Sequence, residues 1–306
     1  MRIVSLLPSA TEIVCELGLL DRLVGVSHDC DWPREIAGKP VLSEAIVASD
    51  LPSARIDARV RAQVHSGRSV YHLDERQLGA LRPDLILTQE LCEVCAPAYT
   101  EVLRAAKVLD QGIKVVSLEP STLDEVLETV SLVGGLTGAG ARARRLVAAL
   151  QARIDRVRER GELVEDRPRV LCLEWLSPLF AAGHWVPEMA ALAGGETLGE
   201  PGEPAFELGW DEVVRFNPEA VVLMPCGFDP QRTAEELELL TELDGWDELT
   251  AVKRDAVYLA HGSFYFNRPG PRVVTGLEVL AKALHPKLFS DLTLPQGALY
   301  KLGSFS

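Results

Sequence analysis

The chain has 306 residues, 47% of them apolar and 25% charged, with a formal charge of −14 and a pI near 5.0. Such acidity excludes nucleic acid and an anionic membrane surface as partners, because like charges repel. The make-up is that of a soluble globular chain long enough for two cores, and no apolar run approaches the ~18 residues that a membrane span needs.

Arg2 to Leu6 reads as a strand. Ser9 then stands as the N-cap of a helix with Glu12 completing a capping box, and Ile13, Leu17 and Leu20 repeat at helical spacing. Arg22 to Val26 reads as a second strand, ending in Ser27-His28-Asp29-Cys30-Asp31-Trp32-Pro33. Ile56, Val60 and Val64 predict a short helix ahead of Ser69-Val70-Tyr71. Asp84 to Thr88 and Lys114 to Leu118 complete a parallel sheet, with Tyr99 to Val108 as the helix between them.

Thr122 to Glu162 carries few strand formers, and its part from Ala141 to Arg160 is helical by propensity, with a break at Gly134-Gly135 or Gly138-Ala139-Gly140. It reads as a connector. Arg167 to Leu173 opens a second strand series. Pro187 to Ala193 predicts a helix ending at Gly194-Gly195, followed by strands at Ala220 to Met224 and Ala256 to Leu259. Pro271 to Leu284 predicts a terminal helix, and Pro286 to Ser306 a tail without period.

Two segments say nearly the same thing. Leu81-Arg82-Pro83-Asp84-Leu85-Ile86-Leu87 and Phe216-Asn217-Pro218-Glu219-Ala220-Val221-Val222 both run helix end, Pro, acid and apolar strand, about 135 residues apart. That distance is too long for a solenoid repeat and suits two similar lobes. The expectation is an α/β fold of two lobes with parallel sheets joined by one long helix: 1–121, the connecting segment 122–164, and 165–306.

The segments least like core follow strands, where open α/β sheets meet ligand. They are Ser27 to Pro33, Gln89 to Ala96, Glu174 to Pro187, Pro225 to Phe228 and His261 to Arg272, and the expectation is that together they line one cleft. Cys92-Glu93-Val94-Cys95 is a C-x-x-C at a strand-to-helix junction, where backbone N–H groups favour a thiolate. With Cys30 and Cys226 it offers four sulfurs for zinc or an iron–sulfur cluster, while Cys15 and Cys172 read as core. Met1-Arg2 leads straight into a strand, so the expectation is a cytoplasmic location, hence thiols rather than disulfides, or a periplasmic or cell-surface one if an export segment precedes.

His28, His184 and His261 are imidazoles able to ligate a metal held in a macrocycle. Around them crowd Trp32, Trp175, Trp185, Phe180, Phe228, Phe264, Tyr265 and Phe266, flat faces suited to a large planar ligand, with Glu174 at the head of its loop. Arg268 and Arg272 can pair with ligand carboxylate or phosphate oxygens. Catalytic motifs are missing: no G-x-S-x-G, G-x-x-x-x-G-K-[ST], H-E-x-x-H or G-x-G-x-x-G after the first strand is present.

Met1-Arg-Ile-Val-Ser-Leu-Leu-Pro-Ser-Ala-Thr-Glu-Ile, Leu23-Val-Gly-Val-Ser, the two Pro-acid segments, and Ala182-Gly183 followed by Ala193-Gly194-Gly195 resemble the substrate-binding proteins of ABC importers for cobalamin, haem and ferric siderophores, most of all the cobalamin branch. The resemblance implies two α/β lobes on a long helix, a ligand held between them with little closure, and no catalysis. It makes a metal-containing small molecule, foremost cobalamin or a related corrinoid, the expected ligand. It also admits an ABC importer permease as partner to a monomeric chain. A cysteine-ligated metal or iron–sulfur redox protein on the same fold, and a receptor for haem or ferric siderophore, stand as alternatives.

Overall fold

The computed structural model describes residues 1–66, 68–89, 99–109 and 112–305. They form two compact units: Met1–Leu51, Arg55–Pro120 and Leu127–Val147 make the first, and Pro52–Ala54, Ser121–Val126 and Ala148–Ser306 the second.

In the first unit β1 (Ile3–Ser5) leads into α1 (Pro8–Glu16), then β2 (Leu23–Val26) and β3 (Ser43–Ala45). After α2 (Ser53–His65) come β4 (Tyr71–Leu73), α3 (Glu75–Leu81), β5 (Leu85–Thr88), α4 (Tyr99–Leu109) and β6 (Lys114–Ser117). Four parallel strands pair in the order β2-β1-β5-β6, with β3 and β4 as a separate antiparallel pair. Ile3 and Leu7 pack into one apolar cluster and Val4 and Leu6 into another, as the alternation of a strand dictates. Leu85 and Leu87 join the first cluster and Ile86 the second. Both faces are therefore covered, and the central strands read as unbroken apolar runs.

Local differences from expectation have physical reasons. Pro8, rather than a residue after a Ser9 cap, opens α1; extended Leu7 precedes it with no side-chain cap, and Ser9 and Glu12 are buried. Proline suits this position because the first helical N–H needs no partner. The helix expected from Ile56, Val60 and Val64 forms as α2, but Ile56 and Val60 are half-buried and Val64 is exposed.

The connector holds α5 (Leu123–Leu136) and α6 (Gly140–Gly161), and the division between units falls inside both, after Val126 and after Val147. The break lies at Gly138, whose φ is +73°, whereas Gly134 stays helical. A Cβ on Gly134 would lie 2.3 Å from that of Ala143, so glycine there permits the close crossing of α5 and α6. In the second unit Arg153 of α6 donates to both carboxylate oxygens of Glu278 at 2.9 and 2.7 Å and to Thr275 Oγ1 at 2.8 Å.

The second unit begins with β7 (Arg169–Leu176), β8 (Leu179–Ala181), α7 (Trp185–Leu192), β9 (Glu196–Thr197) and β10 (Phe206–Glu207). It continues with α8 (Trp210–Phe216), β11 (Ala220–Leu223), α9 (Pro230–Ala234), α10 (Glu238–Thr241) and α11 (Thr250–Lys253). It closes with β12 (Val257–Ala260), α12 (Gly262–Tyr265), α13 (Val273–Leu284) and β13 (Leu299–Lys301). Its seven-stranded sheet runs β10-β8-β7-β11-β12-β13, with β9 beside β7. The sheet is mixed: β7, β11 and β12 are parallel, β9 is parallel to β7, β8 and β13 run antiparallel to them, and β10, antiparallel to β8, returns to the direction of β7. The tail expected to be irregular supplies β13, which covers the edge of β12.

The Pro-acid repeat is one clasp built twice. Arg82 and Asn217, the C-caps of α3 and α8, both adopt left-handed geometry, at φ 44° and 46°, and proline then prevents the helix from continuing. Asp84 Oδ2 accepts the Arg2 backbone N–H at 2.6 Å, and Glu219 Oε2 accepts that of Arg169 at 3.2 Å. The arginine Nε groups return to the helix ends, Arg2 to Leu81 O at 2.7 Å and Arg169 to Phe216 O at 2.9 Å. Register follows in step, Ile3 opposite Leu85 and Val170 opposite Ala220.

Burial alone would push Glu219 up, but the Arg169 N–H and the Arg254 and Arg169 guanidinium groups prevail and hold it below the usual carboxylate range. We expect Glu219→Ala to cost about 1–3 kcal/mol in urea unfolding, as loss of a part-buried, charge-assisted bond does. The more exposed Asp84→Ala should cost under ~1 kcal/mol. Because the folded-state value is lowered, the Glu219 contribution is full above the unfolded carboxylate value near ~4.3 and fades as pH falls through the lower folded value.

Candidate functional site

In the first unit the loop after β2 carries His28, Cys30 and Trp32. His28 Nδ1 lies 2.8 Å from Ser43 Oγ, which also accepts the His28 backbone N–H at 3.2 Å. The imidazole packs against Tyr71 with centroids 5.1 Å apart, and Nε2 lies 3.5 Å from Asp29 Oδ2. The antiparallel β3/β4 pair thus holds the histidine from outside the main sheet. Trp32 is 38% exposed, as a ligand wall requires. The Sγ of Cys30, expected as a metal ligand, sits 3.0 Å from Thr11 Oγ1 and 3.1 Å from Ser27 Oγ, and the residue packs against the apolar cluster of α1.

Glu174 and Trp175 lie within β7 rather than in a loop after it. Leu173 pairs with Ala181 and Trp175 with Phe180, two residues against one, so Glu174 is the extra residue of a β-bulge. Glu174 Oε2 accepts the Gly183 N–H at 3.3 Å, while its backbone carbonyl accepts that of Cys226 at 3.0 Å. Burial around the carboxyl group pushes Glu174 up to about 7, against the smaller opposing effect of the Gly183 bond. Trp175 is half-buried and packs on Phe228, centroids 5.4 Å apart. Phe228 is buried, a support for Trp175 rather than a ligand wall. Arg232 covers the Phe228 ring at 4.5 Å and pairs with buried Glu236.

Gly183 and His184 form the turn from β8 into α7. A Cβ on Gly183 would lie 2.1 Å from Ala205 N. His184 has φ 53° and ψ −116°, a conformation that L residues avoid, held by its N–H to Glu203 O at 2.6 Å and by Gly202 N–H to its carbonyl at 2.9 Å. Its Nδ1 is buried with no hydrogen-bond partner, and burial lowers its proton affinity. Trp185 and Phe266 are corrections to the expected walls: they are 6% and 1% exposed and joined by a 2.7 Å bond from Trp185 Nε1 to Phe266 O. A buried indole needs such an acceptor.

After β12, His261 and Phe264 stack with centroids 3.8 Å apart and planes within 8°. The Arg272 guanidinium covers the same ring at 4.3 Å, with Arg268 at 5.9 Å. Two groups this close to one centroid cannot share a face, so Phe264 organises a tier of cationic and imidazole groups and is not itself a stacking plate. Tyr265, also expected as a wall, is buried.

Cys92 and Cys95 lie outside the described residues, and Cys226 is exposed. Among the described residues no three His, Cys, Asp or Glu side chains gather as a metal-holding group. Sequence reasoning missed Ser43, Tyr71 and Arg232, which no local motif marks because strand pairing or helix packing brings them in. Gly183 was legible only as part of Ala182-Gly183. No helix among the described residues is long and apolar enough to cross a membrane.

Glu174 carries a testable electrostatic cost. Its folded-state value is raised, so native protein binds more protons than unfolded chain between the ordinary value and about 7, and stability falls as pH rises across that window. Glu174→Gln should therefore raise stability by roughly 1–3 kcal/mol at pH 8, with the gain gone by pH 4. Thermal unfolding of both proteins at the two pH values measures it.

Residues 3–263 match a family model described as periplasmic binding protein. The chain is 24% identical over 302 residues to an uncharacterized ABC transporter substrate-binding lipoprotein of Bacillus subtilis, covering 95% of this chain and 82% of that protein. It is 24% identical over 282 residues to the vitamin B12-binding protein of Vibrio cholerae, covering 90% and 86%. The fold matches the crystal structure of a periplasmic heme-binding protein from Pseudomonas aeruginosa with a TM-score of 0.72 at 21% identity, covering 98% and 97%. Nothing in these likenesses supports a cytoplasmic location. The family resemblance read from the motifs is borne out: the chain belongs to the periplasmic binding protein family and is a non-enzymatic solute-binding protein.

Proposed function

We propose that this protein binds a corrinoid and presents it to an ABC importer. The observation that carries the reading is the His261–Phe264–Arg272 tier at the end of β12. A guanidinium fixed over an aromatic ring keeps its planar fork of N–H donors pre-organised, and such a fork suits the carbonyl and phosphate oxygens at a corrinoid's edge. Trp175, in the same unit, adds aromatic surface for the macrocycle. The likeness to the Vibrio cholerae vitamin B12-binding protein supports the same ligand.

Haem is the second reading, supported by the likeness to the heme-binding structure and by His28, whose Nδ1 is held by Ser43 as an imidazole ligand's outer nitrogen commonly is. Titration of the purified chain with cyanocobalamin and with hemin, followed by tryptophan fluorescence and the visible spectrum, separates the two. Cyanocobalamin should quench fluorescence and co-elute with the protein. Trp175→Ala should weaken it by roughly tenfold or more. Hemin binding with no response to cyanocobalamin overturns the corrinoid assignment.

A further inference from the structure

We propose that Glu174, Gly183 and His184 form a subsite that accepts one uncharged carboxamide at the ligand's edge and rejects a carboxylate there. The inference rests on the corrinoid reading, because the corrin rim carries several primary carboxamides whereas a haem carries carboxylates.

Three departures from regular backbone meet at this corner of the second unit. The bulge in β7 makes Glu174 the unpaired residue and re-aims its side chain. Gly183 brings its N–H to Glu174 Oε2 at a position where the backbone of Ala205 leaves no room for a side chain. His184 is held at a positive φ by two hydrogen bonds to the 202–203 turn. Strained geometry costs stability and persists where the surroundings enforce it, most often where a ligand is met.

Among the described residues no cation pairs with the Glu174 carboxyl group at this corner, and the Gly183 N–H is the one hydrogen-bond donor to it. His184 keeps a buried, unpartnered Nδ1, and an imidazole in that state resists a second proton because imidazolium would bury an unsatisfied N–H. A carboxamide brings N–H donors to Glu174 and no charge. A ligand carboxylate would set two carboxyl groups together without a cation, which forces one of them to take up a proton.

The test uses the full chain at pH 7.5 with cyanocobalamin and, separately, its three peripheral monocarboxylic acids, in each of which one carboxamide is hydrolysed. Affinities are measured by equilibrium dialysis for wild type, Glu174→Gln and His184→Gly. One acid isomer should bind wild type at least about tenfold more weakly than cyanocobalamin, with the other two close to it, as expected where a site reads one polar group. Glu174→Gln should keep cyanocobalamin within about threefold and shrink that isomer's penalty to under about threefold. His184→Gly, which relieves the positive φ, should raise Tm by about 2–4 °C and weaken cyanocobalamin. Equal weakening of all three acids would assign discrimination to overall acidity and overturn the subsite, as would a penalty that survives in Glu174→Gln or unchanged cyanocobalamin affinity in His184→Gly. Failure of wild type to bind cyanocobalamin at all overturns the corrinoid reading and this inference with it.

Discussion

Register is the constraint on which everything else in this protein rests, and the paired arginine–carboxylate clasps hold it. In each unit an arginine at the start of a central strand gives its N–H to the acid just before the neighbouring strand, while its side chain reaches the carbonyl at the end of the helix that precedes that neighbour. The strands are short, and a slip of one residue would exchange the two faces of β1, turning Val4 and Leu6 toward the cluster that now holds Ile3 and Leu7. Helix end, strand start and neighbouring strand are tied in one place. The opposite ends of the strands, where His28, Glu174, Cys226 and His261 sit, are positioned as a consequence.

What each of those end residues does is decided by burial. The run Phe264-Tyr265-Phe266 divides its labour within three residues: Phe264 supports a tier of His261 and Arg272, Tyr265 is buried beside it, and Phe266 is core that also anchors Trp185. Phe228 likewise backs Trp175 while carrying the Arg232 guanidinium. Many aromatics in binding loops thus hold the few that remain open, and the rigidity they confer lowers the entropic cost of binding.

Electrostatics separates the polar groups of the second unit into two kinds. The tier at the end of β12 is cationic, with two guanidinium groups over one ring. At the bulge of β7 burial pushes the Glu174 carboxyl up and the His184 imidazole down, and among the described residues no cation pairs with the carboxyl group. The cysteines divide by position: Cys172 is buried in β7, and Cys30 is held by hydroxyl groups over the apolar cluster of the first unit.

Much of this architecture was legible in sequence because it is written in local signals. The two Pro-acid segments mark helix ends followed by buried strands, and their cap residues and prolines act within a few positions of themselves, while the acids reach Arg2 and Arg169 far along the chain. The parallel sheet of the first unit, the break before α6 and the absence of catalytic motifs follow in the same way. Tertiary structure alone decided the rest, because the deciding partners are distant in the chain. The bulge at Glu174 exists only against β8, whose pairing the irregular-looking stretch after Trp175 conceals. β13 becomes a strand because β12 offers it an edge. His184 carries no local mark of its strain, since the 202–203 turn imposes it. Which aromatic faces solvent and which faces core is a property of packing, and identical residue types in one short segment meet opposite fates.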